Sequence, residues 1–252
     1  MIKSKQFYIR KIHRYLGLLL GIQFLLWTIG GLYFSWSNMD EVHGDFEKKE
    51  APLLSSNIAL VSPSIILDSI KKIHTIDSVV SIQLIEMLGK PFYQIRCISA
   101  IHHEVNHQQR MTTMNHLANA ETGALRSPLT EKEAIEVAKN HFNGEPIIKE
   151  VAYVTNTDAH HEYREQPLPA YAITFEHASN ATVYVASELG TVQKFRNNKW
   201  RIFDLLWMMH TMDYKGRDNF GNILLRAFSF FGLITVISGF TLYFVSSRKF
   251  KK

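Results

Sequence analysis

No charged side chain interrupts residues 15–34, which read YLGLLLGIQFLLWTIGGLYF. A second stretch of this kind, residues 227–247, reads AFSFFGLITVISGFTLYFVSS. As an α-helix each stretch is about 30 Å long, which matches the hydrocarbon core of a bilayer. The first is longer than the apolar part of a secretory signal and ends in Tyr33 and Phe34 rather than in small residues, which favours an uncleaved anchor. The sequence therefore predicts two transmembrane helices.

Basic residues lie outside both apolar stretches. They are Lys3, Lys5, Arg10, Lys11 and Arg14 before the first, and Arg248, Lys249, Lys251 and Lys252 after the second. Acidic residues follow the first stretch on its other side: Asp40, Glu41, Asp45 and Glu47. Because basic residues stay on the cytoplasmic side, we expect an inner-membrane protein with both termini cytoplasmic and the central domain periplasmic. The net charge of +5 is largely due to these flanks, so we expect the lipid bilayer and no nucleic acid as a partner.

Between the two stretches, residues 62–126 and 130–195 look like two copies of one structural unit. Both copies open on a residue typical of a helix start, Ser62 and Thr130, 68 positions apart. The expected apolar faces of the two helices are Ile65, Ile66, Ile70 and Ile73, and Ala134, Ile135, Ala138 and Phe142. Such regular spacing predicts an internal duplication.

Each predicted helix is followed by strand patterns and by a glycine turn. Glu133 completes a capping box with Thr130 in the second helix. The strand patterns are SVVSIQLIEM (78–87), PFYQIRCIS (91–99), IIKEVAYV (147–154), AYAITFEH (170–177) and ATVYVAS (181–187). Gly123 and Gly190, 67 positions apart, are suited to turns with a positive φ. The sequence predicts an α+β fold in which each repeat is a helix plus an antiparallel sheet.

The paired units and their flanks resemble the PepSY domain and the PepSY-associated transmembrane helix family. The resemblance is carried by the turns AETG and SELG and by two flanks, RKIHRYLGLLLGIQFLLWTIGGLYF with SWSNMDEVHGD after it, and DLLWMMHTMDYKGRDNFGNILLRAFSFFGLITVISGFTLYF. It implies this division: cytoplasmic N-terminus 1–11, transmembrane helix 12–36, linker 37–61, PepSY-like repeats 62–126 and 127–198, interfacial amphipathic helix 199–216, transmembrane helix 221–247 and basic tail 248–252. Larger members are similar to ferric-siderophore reductases with b-type haem on membrane histidines, while other PepSY domains are associated with peptidase inhibition.

Three histidines in the flanks are candidate haem b ligands: His210, His43 and His13. Neutral imidazole binds haem iron well, and a polar ring near hydrocarbon needs a partner. His13 is about 30 Å along a helix from the far interface, so it cannot share an iron with His210 within one chain. We expect His210 to pair with His43 or Met209, or else to hydrogen-bond to Asp213 or to backbone. His13 would need a second chain, and the small face of Gly17 and Gly21 suits either a homodimer or packing on the second span.

A histidine-rich stretch, residues 101–116, offers a metal site as an alternative. Its ligands would be His102, His103, Glu104, His107 and His116, together with His160 and His161 from the second repeat. Both stretches lie between predicted strands, where polar residues are expected, so the favoured interpretation is solvated loop.

The sequence contains no nucleophile motif or phosphate-binding loop, and the single Cys97 lies in an apolar strand where a thiol is inert. Any catalysis would therefore be redox chemistry at a bound cofactor. The leading hypothesis is a redox or accessory component of iron handling that passes electrons through haem to a ferric siderophore, alone or with a partner membrane redox protein. The alternative is a non-catalytic, membrane-tethered module that binds or inhibits an extracytoplasmic protein such as a peptidase. The sequence leaves open which of these is correct and whether the chain is an enzyme.

Overall fold

The computed structural model describes residues 5–102 and 109–246, and these divide into two compact units. The helical unit contains Met1–Met39 and Lys199–Lys252, and the sheet unit contains Asp40–Asn198. The helices are α1 (Lys5–Trp36), α2 (Met39–His43), α3 (Pro63–Lys71), α4 (Glu131–Asn140), α5 (Asn198–Thr211) and α6 (Ile223–Ser246), with a short 3₁₀ turn at Asp45–Glu47.

In the helical unit, α1 packs against α6 through a small apolar cluster. Leu20 and Phe228 are buried there with Met212, and Trp27 and Leu225 pack around them. Most other apolar side chains of both helices point outwards, as in the 72% exposed Leu18 and the 70% exposed Leu19. Both α1 and α6 are long and apolar enough to cross a membrane by length and composition.

The sheet unit contains two four-stranded antiparallel sheets with strand orders β1-β2-β3-β4 and β5-β6-β7-β8. The first sheet is β1 (Ser78–Met87), β2 (Lys90–His102), β3 (Gln109–Asn119) and β4 (Leu125–Arg126). The second is β5 (Ile148–Val154), β6 (Ala170–Phe175), β7 (Thr182–Ala186) and β8 (Thr191–Arg196). An α+β fold with two antiparallel sheets between two apolar helices is thus confirmed.

The two repeats share one order of elements, since each is a helix followed by four strands. The helix starts are as predicted. The Ser62 side chain accepts a hydrogen bond from the Ser64 N–H at 3.4 Å, and Thr130 and Glu133 form a reciprocal capping box. Ser62 lacks the reciprocal acid, so the first helix has the weaker cap.

Both predicted glycine turns have a positive φ, at the same place in each repeat. Gly123 (φ 74°) lies between β3 and β4, and Gly190 (φ 69°) lies between β7 and β8. A Cβ at Gly190 would lie 2.5 Å from Met87 Sδ, whereas a Cβ at Gly123 would have no neighbour closer than 3.5 Å. Glycine is therefore needed for backbone reasons at both positions and for packing at Gly190.

The largest core joins the two repeats. Its buried members are Met87, Phe92, Leu117, Leu129, Ala134, Val137, Ala138, Phe142, Ile173, Phe175, Ala181, Val183, Val185 and Phe195. A smaller core lies under α3, where Ile66 and Ile70 are fully buried with Ile95 and Cys97. The prediction that Ile65 and Ile73 also face the core is wrong, because their side chains are 55% and 64% exposed.

The loop interpretation of the histidine-rich stretch is wrong for the residues that the structure describes. β2 continues to His102 and β3 begins at Gln109, with His116 paired opposite Ile95 in the sheet. Residues 103–108, with His103, Glu104 and His107, lie outside the described residues. The many polar side chains in this segment concealed a long hairpin, because a strand with one solvated face accepts polar residues at alternate positions.

Candidate functional site

His210 lies in a cluster of aromatic side chains at the end of α5. Its ring stacks on Trp27 of α1, with ring centroids 5.0 Å apart and an interplanar angle of 27°. Trp207 lies 6.1 Å away on a nearly parallel plane, and Phe34 presents its edge at 6.0 Å. Nδ1 of His210 and Nε1 of Trp27 are both buried and have no hydrogen-bond partner among the described residues. The aromatic cluster therefore buries a histidine nitrogen that has no hydrogen-bond partner among the described residues.

The loop from α5 to α6 is fixed by hydrogen bonds that do not use His210. The Asp213 carboxylate accepts from the backbone N–H groups of Asn219 at 2.9 Å and Gly216 at 3.1 Å, and these bonds hold its pKa below its usual range. Asp204 forms an ion pair with Arg217. The expected hydrogen bond from His210 to Asp213 is therefore absent among the described contacts, and the ring is positioned by stacking instead.

His13 is half-buried against α6, and its hydrogen bond determines its tautomer. Nδ1 of His13 lies 2.8 Å from Oγ of Ser238, while that hydroxyl donates its own proton to the Thr235 carbonyl at 2.8 Å. Ser238 therefore accepts from His13, so Nδ1 carries a proton and Nε2 is the ring nitrogen that could bind a metal ion.

An apolar groove of about 590 Å³ lies beside His13. Its lining comes from α6 and consists of Thr235, Val236, Gly239, Phe240, Tyr243 and Phe244. A Cβ at Gly239 would lie 3.3 Å from His13 Cε1, so the glycine makes room for the imidazole. Gly239 was expected from the sequence to give the second span a small face, whereas Ser238 was missed; its only signal is its place beside that glycine in an otherwise bulky apolar stretch.

Gly17 and Gly21 do not form the intrachain helix contact that was one of their two expected uses. A Cβ built at either position meets no atom within 4 Å. α1 contacts α6 instead through a stripe of residues that includes His13, Leu20 and Trp27. Gly17 lies one turn from both His13 and Leu20 and so shares the face that packs on α6, while the packing does not require a glycine at either position.

His43 ends α2 and is exposed in the sheet unit. It lines a groove of about 400 Å³ together with Lys48, Lys49, His141 and Lys194, among others. His210 belongs to the helical unit, and α5 is helical through both Met209 and His210. Neighbouring residues on a helix point about 100° apart, which argues against Met209 as the opposite ligand of an iron on His210. The pairing of His210 with His43 stays a prediction.

The other histidines fall into two separate places. His116 contacts His74, with ring centroids 5.4 Å apart, and burial followed by repulsion from His74 lowers its pKa. His161 accepts a hydrogen bond from the Tyr163 N–H at 3.0 Å, and the neighbouring His160 is exposed. Among residues 5–102 and 109–246, no group of three or more metal-ligating side chains comes together. The metal site that combines both stretches is therefore not formed by the described residues.

The histidines fit haem unequally. His13 offers Nε2, the ring nitrogen that its hydrogen bond leaves unused, beside an apolar groove, and the groove lies within the roughly 300–1,000 Å³ common for cofactor pockets. His210 offers a buried unpartnered nitrogen among aromatic rings. His210 stacks on Trp27, which lies 14 residues along α1 from His13, a distance of about 21 Å. The geometry thus agrees with the expectation that these two histidines cannot hold one iron within a chain.

Comparison of the chain with known protein families, curated proteins and solved structures finds no match. The resemblance to the PepSY-associated transmembrane family stays a prediction.

Proposed function

We propose that the chain is an inner-membrane protein of the PepSY-associated type, with α1 and α6 as its two spans and the sheet unit in the periplasm. The exposed apolar side chains of both helices support the proposal, since Leu18, Leu19 and Ile22 would be costly in water and favourable in lipid. The basic residues that flank the helices support the orientation.

Thiol labelling with a membrane-impermeant maleimide tests this topology. Cys97 is the only cysteine and is buried, so the wild-type chain supplies a low background. We expect Ser55→Cys, in the exposed linker, to label in cells whose outer membrane has been permeabilised. Lys252→Cys should label only after the inner membrane is opened. Equal labelling of both variants before that step would contradict the topology.

Within this membrane protein, we propose that His13 binds haem b and that the chain serves as a redox or accessory component of iron handling. The observation that carries this proposal is the hydrogen bond from His13 Nδ1–H to Ser238, which leaves Nε2 as the ring nitrogen that could bind the iron beside an apolar groove. Haem would supply one-electron transfer towards a ferric siderophore. The chain's own contribution is to orient the imidazole through its hydrogen bond to Ser238 and to place it beside an apolar groove.

A second ligand for the haem iron would come from another chain. Gly17 and Gly21 lie one and two turns along α1 from His13, and a Cβ at either position would meet no atom within 4 Å, which leaves room for a second helix. That helix belongs to a second copy of this chain or to a partner membrane redox protein. His210 and His43 remain the proposed ligands for the outer side.

Difference spectroscopy tests the haem proposal. The detergent-purified chain from haem-replete cells should show a reduced-minus-oxidised α band after dithionite treatment. We expect His13→Ala to lose that band, and Gly239→Val to weaken it by displacing the ring. His160→Ala is the matched control, because His160 is an exposed histidine outside the predicted ligand set. A featureless wild-type spectrum, or equal loss in the control, would refute haem ligation by His13.

A second function is favoured by the exposed apolar edge of the first sheet. β1 is an edge strand of ten residues, and its partly exposed side chains include Val79, Val80, Ile82 and Leu84. Such an edge can accept an added strand, with backbone hydrogen bonds giving affinity and the side chains giving specificity. We propose on this ground that the sheet unit of a tethered, non-catalytic module holds an extracytoplasmic partner such as a peptidase.

Photocrosslinking in cells separates the two functions. A photoreactive residue at Val80 or Leu84 should give one discrete adduct, whereas the same residue at Lys72 or Lys149 should give none. Ile82→Lys should abolish the adduct at Leu84 while leaving the fold intact, because Ile82 is partly exposed. A missing adduct at both edge positions would refute the binding module, whatever the spectrum of the protein.

A further inference from the structure

A concave patch in the sheet unit collects positive charge from three segments of the chain. Its basic groups are His43, Lys48, Lys49, His141, Lys194 and Arg196. We call this patch the cationic groove. Its volume of about 400 Å³ is that of a small-molecule site rather than of a flat surface. The sequence signal for it is slight: two lysines in a row and a Lys-x-Arg pattern in an edge strand.

The walls of the cationic groove are held in place by backbone contacts. Lys48 forms a bridge with Phe142, and the Lys49 N–H donates to the His141 carbonyl at 2.9 Å. On the opposite wall, β8 supplies Lys194 and Arg196 from the edge of the second sheet. The side chain of Asn197 ties the wall to the segment before His43 by donating to the Glu41 carbonyl at 2.8 Å. The groove is thus formed by the fold itself.

The positive charge of the groove is only partly balanced by the protein. Asp45 pairs with Lys48 at 2.6 Å, and the Arg196 guanidinium donates to the carbonyls of Glu162 and Phe195. Lys49 and Lys194 form no ion pair with any residue in the described part of the chain. Gathering like charges in a half-buried groove is unfavourable unless an anion compensates them.

The lowered pKa of Lys194 agrees with this excess of positive charge. Burial lowers the pKa of its ammonium group, and repulsion from Arg196, Lys48 and Arg164 lowers it further. A bound anion would reverse both effects, since it would replace lost hydration and neutralise the neighbours. Phe195 is the hydrophobic part of the wall. Lys48 Nζ lies 5.6 Å from the centroid of its ring, a cation–π contact that favours a position of this lysine in the groove.

We propose that the cationic groove binds an oxyanion that carries two or more negative charges, through phosphate or carboxylate groups. Lysine and arginine side chains bind such groups by charge-assisted hydrogen bonds. The groove shares His43 with the proposed haem ligands, but the lysines that the test removes, Lys49 and Lys194, do not belong to that set. Its natural ligand is either a free small molecule or the headgroup of an anionic lipid, and both share this chemistry.

Calorimetric titration of the full chain in a non-ionic detergent tests the proposal, with pyrophosphate and citrate as probes. We expect the double variant Lys49→Gln/Lys194→Gln to bind at least about tenfold more weakly than the wild type. The matched control, Lys72→Gln/Lys90→Gln, removes the same charge from exposed sites outside the groove and should change affinity by less than about twofold. Unchanged far-UV circular dichroism establishes that both variants are folded.

The two sources of the ligand are separated in lipid nanodiscs. If cardiolipin, whose headgroup carries two phosphates, weakens pyrophosphate binding to the wild type when added to phosphatidylcholine, the headgroup occupies the groove and the proposal stands. If it has no effect, the ligand is a free oxyanion and the proposal also stands. Absence of pyrophosphate and citrate binding to the wild type, or equal weakening in the control variant, overturns it.

Discussion

The two repeats of the sheet unit share an order of elements but bury their surfaces differently. In the second repeat, every residue of the inner strand β7 is buried, and α4 packs in the core that the two repeats share. In the first repeat, α3 packs over a smaller core of its own through Ile66 and Ile70. The edge strands β1 and β5 are largely exposed in both repeats. The comparison shows that one sequence pattern, a helix followed by a meander, can place its helix either in a shared core or over a separate one.

The difference arises from the cores to which the faces of each sheet contribute. The first sheet contributes Met87, Phe92 and Leu117 to the core that it shares with the second repeat. Its other face is covered by α3, which packs on Tyr93, Ile95, Cys97 and Ala118 of β2 and β3. Structural stability is therefore concentrated where the repeats meet, and the β1 edge is free for the partner proposed above.

The largest effect should come from α3 itself, where neighbouring isoleucines have opposite surroundings. Ile70→Ala removes a fully buried side chain and should lower the free energy of unfolding of the sheet unit by about 2–4 kcal/mol. Ile73→Ala, at a 64% exposed position, should change it by less than about 0.5 kcal/mol. All four tryptophans lie in the helical unit. Hydrogen exchange within residues 40–198 is therefore the suitable measurement, and equal costs would mean that α3 packs differently.

The next prediction compares the two glycine turns. Gly123→Ala should cost about 1–2 kcal/mol, because alanine is strained at a positive φ. Gly190→Ala should cost about 2–4 kcal/mol, because its Cβ also meets Met87 and Leu117. Hydrogen exchange within the sheet unit again measures both. Gly190→Ala should cost less in a Met87→Ala background than in the wild type, because Met87 Sδ is the atom nearest to the added Cβ, and an equal cost in both backgrounds would assign the effect to the backbone.

Sequence periodicity predicted the parts of the fold that local chemistry determines. The bounds of β1 agree with the predicted strand at 78–87, and the two caps lie at Ser62 and Thr130. The end of β3 was expected as a closing strand before Gly123, but its first part, residues 109–114, was assigned to a loop, because its burial is decided by pairing with β2 rather than by its own composition. The exposure of Ile65 and Ile73 was missed for a related reason: helical spacing shows which residues share a face, but the size of the opposing sheet decides how many are covered.

The candidate sites also contain some residues that the sequence indicates and others that only the fold brings together. His13 and His210 were visible as histidines beside apolar stretches, but the Ser238 hydroxyl that sets the tautomer of His13 is 225 positions away in the chain. The cationic groove was hidden, because its walls come from the linker, the end of α4 and the distant β8. No spacing within one segment can predict which distant segments the fold brings together.

Helix capping provides a smaller contrast between the repeats. Thr130→Ala removes a side chain that accepts from the Glu133 N–H as part of a capping box, and it should cost about 1–2 kcal/mol. Ser62→Ala removes one hydrogen bond at 3.4 Å on an exposed helix and should cost about 0.5 kcal/mol. Denaturant unfolding followed by far-UV circular dichroism measures the two costs. A larger cost at Ser62 would reverse the ranking of the two helix starts.

The smallest expected effect is the pH dependence of the second cap. Burial alone would raise the pKa of the Glu133 carboxyl, but hydrogen bonds from the Thr130 N–H and from Arg126 outweigh burial and hold that pKa below its usual range. The unfolded chain therefore takes up the proton first as the pH falls. Glu133 stabilises the fold fully above the usual glutamate pKa of about 4.3, and this contribution is lost as the pH falls from there through the lower pKa of the folded state.

The variant Glu133→Gln isolates this contribution. Its unfolding free energy should lie below that of the wild type at neutral pH, by less than the cost of Thr130→Ala, and the two should converge below about pH 4.3. Glu136→Gln on the exposed side of the same helix is the control, and it should follow the wild type throughout because Glu136 forms no ion pair with any described residue. A constant gap between wild type and Glu133→Gln at all pH values would mean that the glutamate acts through its shape rather than through its charge.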